Sequence, residues 1–211
     1  MLPLGRRQRH KRVRASVSAD RENAPTEMQH YALPKNKTMH FIRNNLAVCG
    51  FLGIGDRESF ETHGFNAQLQ CAQAFDPWLP ECLDVKALPF DDGAPIPEAL
   101  FHEAQAWLNK HWKSNSKILI SCAGGQSRSV TMAIGLIFVN SQRSFLDCIA
   151  EVMEKVPDAY PHPLVLSSAA KYSGDPLCLE SLQRVYQTVA NPPPYPWSVE
   201  QIKDALDRVS V

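Results

Sequence analysis

The chain has 211 residues and is 44% hydrophobic, which is enough for one domain with a buried core. Its longest apolar run, residues 130–139, is half of the roughly 20 residues that a transmembrane helix needs, so no membrane span is expected. The six cysteines are spaced singly, without a CxxC pair. This spacing disfavours a zinc site or a disulfide framework and favours a reducing compartment, the cytoplasm.

The net charge is zero, but the charges are unevenly distributed. Residues 1–38 contain nine Lys/Arg and three Asp/Glu, whereas the remainder contains thirteen and nineteen and is acidic. An acidic main body disfavours nucleic acid as the principal ligand. Residues 1–38, with the basic run RRQRHKRVR, are predicted to be a disordered tail. A nuclear-import signal, an organelle-targeting leader or a contact with an anionic surface remain alternatives.

Beyond the tail, short strands and helices alternate. Strands are predicted at residues 40–43 and 46–49, around a turn at Asn44 and Asn45. A short helix at 58–63 ends at Gly64, and strands follow at 67–72 and 85–90. This part of the chain is therefore expected to contribute most of a sheet.

Helices dominate the second half. A helix with an apolar stripe is predicted at 97–112, a strand at 117–121 and a helix that is apolar nearly all round at 129–140. Further helices are predicted at 145–155, 164–172, 177–189 and 199–209, the last with a capping box of Ser198 and Gln201.

The order of these elements predicts an α/β fold: a single domain with a central mixed sheet flanked by helices, plus a helical C-terminal extension. We expect the tail to occupy 1–38, the central domain 39–174 and the extension 175–211.

The most informative segment is the loop CAGGQSRS, which begins at Cys122 between the predicted strand and the apolar helix. A tight loop at a helix N-terminus points backbone N–H groups inward and forms an anion cradle, which also favours the thiolate of a cysteine at its start. Gly124 and Gly125 allow backbone conformations closed to other residues. Arg128 can hold two oxygens of a phosphate, and Ser129 can donate a hydrogen bond to the sulfur.

Two other kinds of anion-binding loop fit this sequence less well. An ATP-type phosphate loop is excluded because no Gly-Lys-Ser/Thr follows the glycines. A rhodanese-like sulfur-transfer loop also starts with cysteine but is usually one residue shorter. A buried structural cysteine would not explain Gly125, Arg128 and Ser129 together, so the pattern indicates a catalytic phosphate loop.

The segment resembles the signature of the dual-specificity phosphatases, in the cysteine-based protein tyrosine phosphatase superfamily, whose pattern is His-Cys-x-x-Gly-x-x-Arg-Ser. The resemblance extends over residues 41–172 and includes a loop with acidic residues at 88–92. The departure is Ser121, where the family usually has a histidine that orders the loop. Its replacement implies slower turnover.

The family resemblance implies a phosphoprotein phosphatase that acts on phosphotyrosine and on phosphoserine or phosphothreonine through a phosphocysteine intermediate. No metal or organic cofactor is implied. The substrate-binding residues would be those of the loop, namely Ala123, Gly124, Gly125, Gln126, Ser127 and Arg128. Because the loop contains no lysine, a phosphoinositide substrate is disfavoured. A different phosphoester outside proteins, or a phosphoprotein-binding module that does not hydrolyse, remain alternatives, the latter suggested by Ser121.

The catalytic residues implied are Cys122, Arg128, Ser129 and a general acid in the segment LPFDDG, which ends at Gly93. Ungapped alignment from the cysteine favours Asp91. Alignment through the Leu-Pro pair favours Asp92, as does the neighbouring glycine. We predict Asp92 as the acid, with a pair of solvated turn carboxylates as the alternative.

Overall fold

The computed structural model describes residues 38–51, 57–73, 80–188 and 197–210. The predictions for the basic tail therefore lie outside the described residues, apart from Thr38. Within the described ranges, no helix is both long enough and apolar enough to cross a lipid bilayer.

Five strands form one sheet in the order β1-β2-β5-β3-β4. They are β1 (Met39–Arg43), β2 (Leu46–Gly50), β3 (Ala67–Gln70), β4 (Asp84–Ala87) and β5 (Ile118–Cys122). β1 is antiparallel to β2, and all the other pairs are parallel. The sheet is therefore mixed, as predicted.

Seven helices accompany the sheet in the described part of the chain. They are α1 (Arg57–His63), α2 (Glu98–Lys113), α3 (Arg128–Val139), α4 (Phe145–Lys155), α5 (Pro163–Tyr172), α6 (Leu179–Thr188) and α7 (Val199–Val209). The bounds predicted for α4 and α7 are confirmed, and so is the capping box of α7.

The two faces of the sheet pack against different helices, because successive strand side chains point to opposite sides. Ile118 and Ile120 of β5 belong to the main core with α3, α4 and α5, whereas Leu119 packs in a second cluster with Phe60 of α1. Helix α3 is buried on nearly every side, which explains its apolar sequence. Leu182 of α6 also joins the main core, so the C-terminal extension packs on the same single domain.

Two strands are shorter than predicted. β3 ends at Gln70 and β4 at Ala87, although the apolar pattern continues for a few residues beyond each. Beyond these ends, the carbonyl oxygens of Cys71 and Phe90 accept hydrogen bonds from the Arg128 guanidinium. Backbone hydrogen bonds continue past these ends, from the Cys71 N–H to the Ser121 carbonyl oxygen and from the Phe90 N–H to the Cys71 carbonyl oxygen, so the apolar pattern runs on although the regular ladder ends.

Candidate active site

The loop from Cys122 to Arg128 lies at the carboxyl end of β5, where ligands of parallel sheets commonly bind. It folds against the end of β2, and Gly50 forms an isolated bridge with Gly124. Gly125 has a φ of 77°, and a Cβ atom there would lie 2.4 Å from the nitrogen of Gly50 and 2.6 Å from the carbonyl carbon of Cys49. This position therefore requires glycine for both its dihedral angle and its space.

We predict that Gly125→Ala lowers the free energy of unfolding by about 3 kcal/mol or more, because a positive φ and a clash with backbone add together. Gly174→Ala is the matched control, since Gly174 also has a positive φ, of 84°, but open space around the added carbon. It should cost only about 1 kcal/mol. Urea unfolding of both variants tests this, and equal losses would contradict the steric argument.

The sulfur of Cys122 is buried at the base of the loop, with the whole residue 2% exposed. It accepts a hydrogen bond from the Gly125 backbone N–H, 3.2 Å away. The Ser129 hydroxyl oxygen lies 3.2 Å from the same sulfur and is fully buried. Both groups can donate to a thiolate, and α3 begins at Arg128 with its N-terminus towards the loop, so the surroundings stabilise negative charge on this sulfur.

Cys71 is a second buried thiol in the same core as Cys122. Its peptide nitrogen donates to the Ser121 carbonyl oxygen at 2.8 Å. Burial raises the pKa of the Cys71 thiol well above its usual value, the nearby Cys122 sulfur raises it further, and Arg128 opposes them. Cys71 therefore stays protonated, which leaves Cys122 as the nucleophile candidate.

The guanidinium of Arg128 is anchored at one end. Its Nη1 donates to the Phe90 carbonyl oxygen at 3.0 Å, a contact that fixes the side chain beside the loop. Its Nε is buried and has no hydrogen-bond partner among the described residues. A buried charged donor without an acceptor is costly, so this nitrogen fits an anion bound in the loop.

The remaining loop residues differ in their exposure to solvent. Ala123 is exposed, Gly124 and Gln126 are half-buried, and Gly125 and Ser127 are buried. The side-chain amide of Gln126 donates to Asp158 at 3.4 Å, and the backbone carbonyl oxygen of Gln126 accepts from the Tyr160 N–H at 2.7 Å. The segment that precedes α5 therefore supports the loop from outside.

Asp92 reaches the loop, whereas Asp91 does not. The Ser127 hydroxyl donates to an Asp92 carboxylate oxygen and accepts from the His162 backbone N–H at 2.9 Å. Asp92 is half-buried and Asp91 is exposed. Of the two carboxylates left open by the sequence, the structure brings Asp92 to the loop.

Ser121 has a partner that the sequence did not predict. Its hydroxyl oxygen accepts a hydrogen bond of 3.1 Å from the side-chain amide of Gln68 on β3, and both residues are completely buried. A glutamine in the middle of an apolar strand was the available signal. Gln68 and Ser121 thus fill the space beneath the loop at the position where the family usually has histidine.

The C-terminal extension also contacts the supporting segment, which the sequence did not predict. The Tyr186 hydroxyl of α6 donates to the Pro161 carbonyl oxygen at 2.6 Å. The Trp197 backbone N–H donates to the Tyr160 hydroxyl at 3.0 Å, and the two rings stack. The extension therefore helps to hold the residues that support the loop.

Among the described residues, no three His, Cys, Asp or Glu side chains are grouped so that they could hold a metal ion.

No family model matches this sequence, and no curated protein does. Solved structures do match. The human tyrosine phosphatase-like serine/threonine/tyrosine-interacting protein is 16% identical, with a TM-score of 0.58 over 64% of this chain and 95% of its own. Human DUSP28 is 18% identical, with a TM-score of 0.58 over 69% of this chain and 95% of its own.

A mouse putative dual specificity phosphatase, crystallised with zinc tungstate, is 15% identical, with a TM-score of 0.59 over 70% of this chain and 91% of its own. At these identities the likeness concerns the fold. The chain therefore has the fold of the dual-specificity phosphatases, in the cysteine-based protein tyrosine phosphatase superfamily.

Proposed function

We propose that this chain is a cysteine-dependent dual-specificity protein phosphatase, which hydrolyses phosphotyrosine and phosphoserine or phosphothreonine in proteins. The observation that carries the proposal is the surroundings of the Cys122 sulfur. It lies 3.2 Å from both the Gly125 nitrogen and the Ser129 hydroxyl, in a loop that ends at an arginine whose buried Nε has no hydrogen-bond partner among the described residues. A stabilised thiolate beside such an anion site is the arrangement that phosphoryl transfer to sulfur needs.

In the first step, the Cys122 thiolate attacks phosphorus and forms a sulfur–phosphorus bond. The bond from phosphorus to the leaving oxygen breaks, and Asp92 gives its proton to that oxygen. Arg128 and the backbone N–H groups of the loop bind the equatorial oxygens while the charge moves through them. The products are a phosphocysteine and a free hydroxyl on the substrate.

In the second step, a water molecule attacks the phosphocysteine. The Asp92 carboxylate takes a proton from the water, and the sulfur–phosphorus bond breaks to give inorganic phosphate and the thiolate. The Ser129 hydroxyl, 3.2 Å from the sulfur, donates to the departing thiolate and makes it a better leaving group. Both steps use only groups of this chain and water.

A phosphoprotein is the substrate that the loop favours. The segment between Cys122 and Arg128 has no lysine that would bind the further phosphates of an inositol ring. Its rim is exposed at Ala123, which suits a phosphorylated side chain on a protein surface. We also propose that the enzyme acts in the cytoplasm, a reducing compartment that suits six singly spaced cysteines.

A binding module that recognises phosphoproteins without hydrolysing them is the second candidate. Ser121 favours it, because the family's usual histidine is missing and Ser121 is hydrogen-bonded to Gln68 instead. Such a module would keep the anion cradle and Arg128 but release no phosphate.

Release of inorganic phosphate from a generic aryl phosphate by the wild-type protein, in the presence of a metal chelator, separates the two candidates. An enzyme of this mechanism should turn over many times with saturation kinetics. Binding of the phosphate analogue tungstate, measured by calorimetry on the same sample, shows whether the loop is formed. Tight binding without phosphate release would support the binding module and contradict our proposal.

A further inference from the structure

A small polar pocket lies beside the acid and is formed largely by the C-terminal extension. Its volume is about 180 Å³. We call it the α7 pocket, and its polar side is lined by Gly93, His162, Trp197, Gln201, Asp204 and Arg208. A bulk water occupies about 30 Å³, so the pocket has room for one side chain.

The α7 pocket lies on the side of the active site where the leaving group must be. Asp92 has to reach the leaving oxygen to protonate it, so the organic part of the substrate lies next to Asp92. Gly93, which follows directly, lines the pocket. The Ser127 hydroxyl binds both the Asp92 carboxylate and the His162 backbone, which places the pocket wall next to the acid.

Besides the Asp204 carboxylate, the polar groups that remain available in the pocket are donors, because two of the other acceptors are engaged. His162 Nδ1 accepts from the Leu164 N–H at 3.2 Å, so the other ring nitrogen carries the proton. Gln201 Oε1 accepts from the Ser198 N–H at 2.8 Å, which leaves the amide NH₂. Burial lowers the pKa of His162, the Asp92 carboxylate opposes this, and Arg208 lowers it further, so the ring is a neutral donor.

Two further donors come from the extension. Trp197 Nε1 is buried and has no hydrogen-bond partner within the part of the chain that the structure describes. Arg208 is bonded to Asp204 by one nitrogen, Nη2, and both side chains are 59% exposed. Exposed ion pairs of this kind contribute little, so the guanidinium can bind a ligand as well as Asp204.

We propose that the α7 pocket binds an anionic side chain of the phosphoprotein substrate, close in sequence to the phosphorylated residue. The anion is a carboxylate or a second phosphate, held by Arg208 with His162 and Gln201. The inference rests on the proposed function, since it names the substrates on which that activity acts. It makes Arg208 a specificity-determining residue.

Phosphopeptides in which one glutamate is moved through the positions around the phosphorylated residue test this proposal. Peptides with glutamine at the same position serve as references, and a doubly phosphorylated peptide distinguishes a phosphate from a carboxylate. For the wild type, we expect glutamate or the second phosphate to raise kcat/KM about tenfold at one or two positions. In Arg208→Gln, the ratio between the anionic and the glutamine peptide should fall to near one.

Lys203→Gln is the matched control, because it removes one exposed positive charge from the same helix outside the pocket. It should keep the tenfold ratio. A wild type without preference at any position, or a preference that survives Arg208→Gln, would overturn the proposal. The same ratios measured as binding to Cys122→Ser protein do not require turnover, so a protein that binds but does not hydrolyse would contradict only the proposed function.

Discussion

Cys122→Ser is expected to lower turnover of an aryl phosphate by about 10⁴-fold or more, because a serine hydroxyl in this loop has no base to activate it. Binding of tungstate should persist within a few-fold, since serine is smaller than cysteine and the donors of the loop remain. Steady-state phosphate release and calorimetry on the same protein measure the two quantities separately.

Arg128→Ala should lose both turnover and binding. Removing the guanidinium takes away the buried Nε, which we expect to bind the anion, and the Nη1 contact with the Phe90 carbonyl oxygen. Loss of two charge-assisted hydrogen bonds corresponds to a tungstate affinity weaker by about 100-fold or more. Cys122 and Arg128 thus have different roles, one in attack and the other in binding, and the pair of variants separates them.

Cys82→Ser is the control for the loss of a thiol, because Cys82 is free and exposed. It should keep full turnover. Hydrolysis by Cys122→Ser at a rate near that of the wild type would contradict the mechanism. Normal tungstate binding by Arg128→Ala would contradict the role assigned to the guanidinium.

The features predictable from sequence were those that depend on neighbouring residues. Helix α4 and helix α7 follow from an apolar period and an N-cap serine, and both have the predicted bounds. The loop from Cys122 to Arg128 was predictable for the same reason: the strand, the glycines and the helix that shape it are adjacent in the chain. Local sequence therefore determines where the sulfur and the arginine lie.

The features that sequence could not give are contacts between distant segments. Gln68 and Ser121 are 53 positions apart, and their hydrogen bond depends on the register of β3 against β5. The hydrogen bonds from Arg128 to the carbonyl oxygens of Cys71 and Phe90, just beyond the strand ends at Gln70 and Ala87, likewise join segments far apart in the chain. The contribution of the extension to the α7 pocket likewise arises from packing of helices that are separate in sequence.

The choice between Asp91 and Asp92 depends both on local sequence and on contacts between distant segments. The sequence placed both carboxylates on the correct loop, but only tertiary structure decides which one faces Ser127. Asp92 lies at the start of a turn and its side chain faces Ser127, so a shift of one position changes the assignment. Because Asp92 is half-buried and Asp91 is exposed, we expect replacement of Asp92, and not of Asp91, to impair catalysis.

Asp92→Asn should slow the release of basic leaving groups far more than that of acidic ones. Asparagine preserves the acceptor for the Ser127 hydroxyl but has no proton to give. For an alkyl phosphate such as phosphoserine, kcat/KM should fall by about 10³-fold, within the range that general acids contribute. For an activated aryl phosphate, whose phenolate leaves without protonation, the loss should be about tenfold or less.

A series of aryl phosphates tests this, with log kcat/KM plotted against the pKa of the leaving phenol. The wild type should give a nearly flat line, because the acid neutralises the leaving oxygen, and Asp92→Asn should give a steeply falling one. Asp91→Asn is the matched control, with the same change at the exposed neighbour, and should keep the flat line. A steep line for Asp91→Asn and a flat one for Asp92→Asn would assign the acid to Asp91. Flat lines for both would mean that neither carboxylate protonates the leaving group, because a proton donor that acts in the transition state must appear in this dependence.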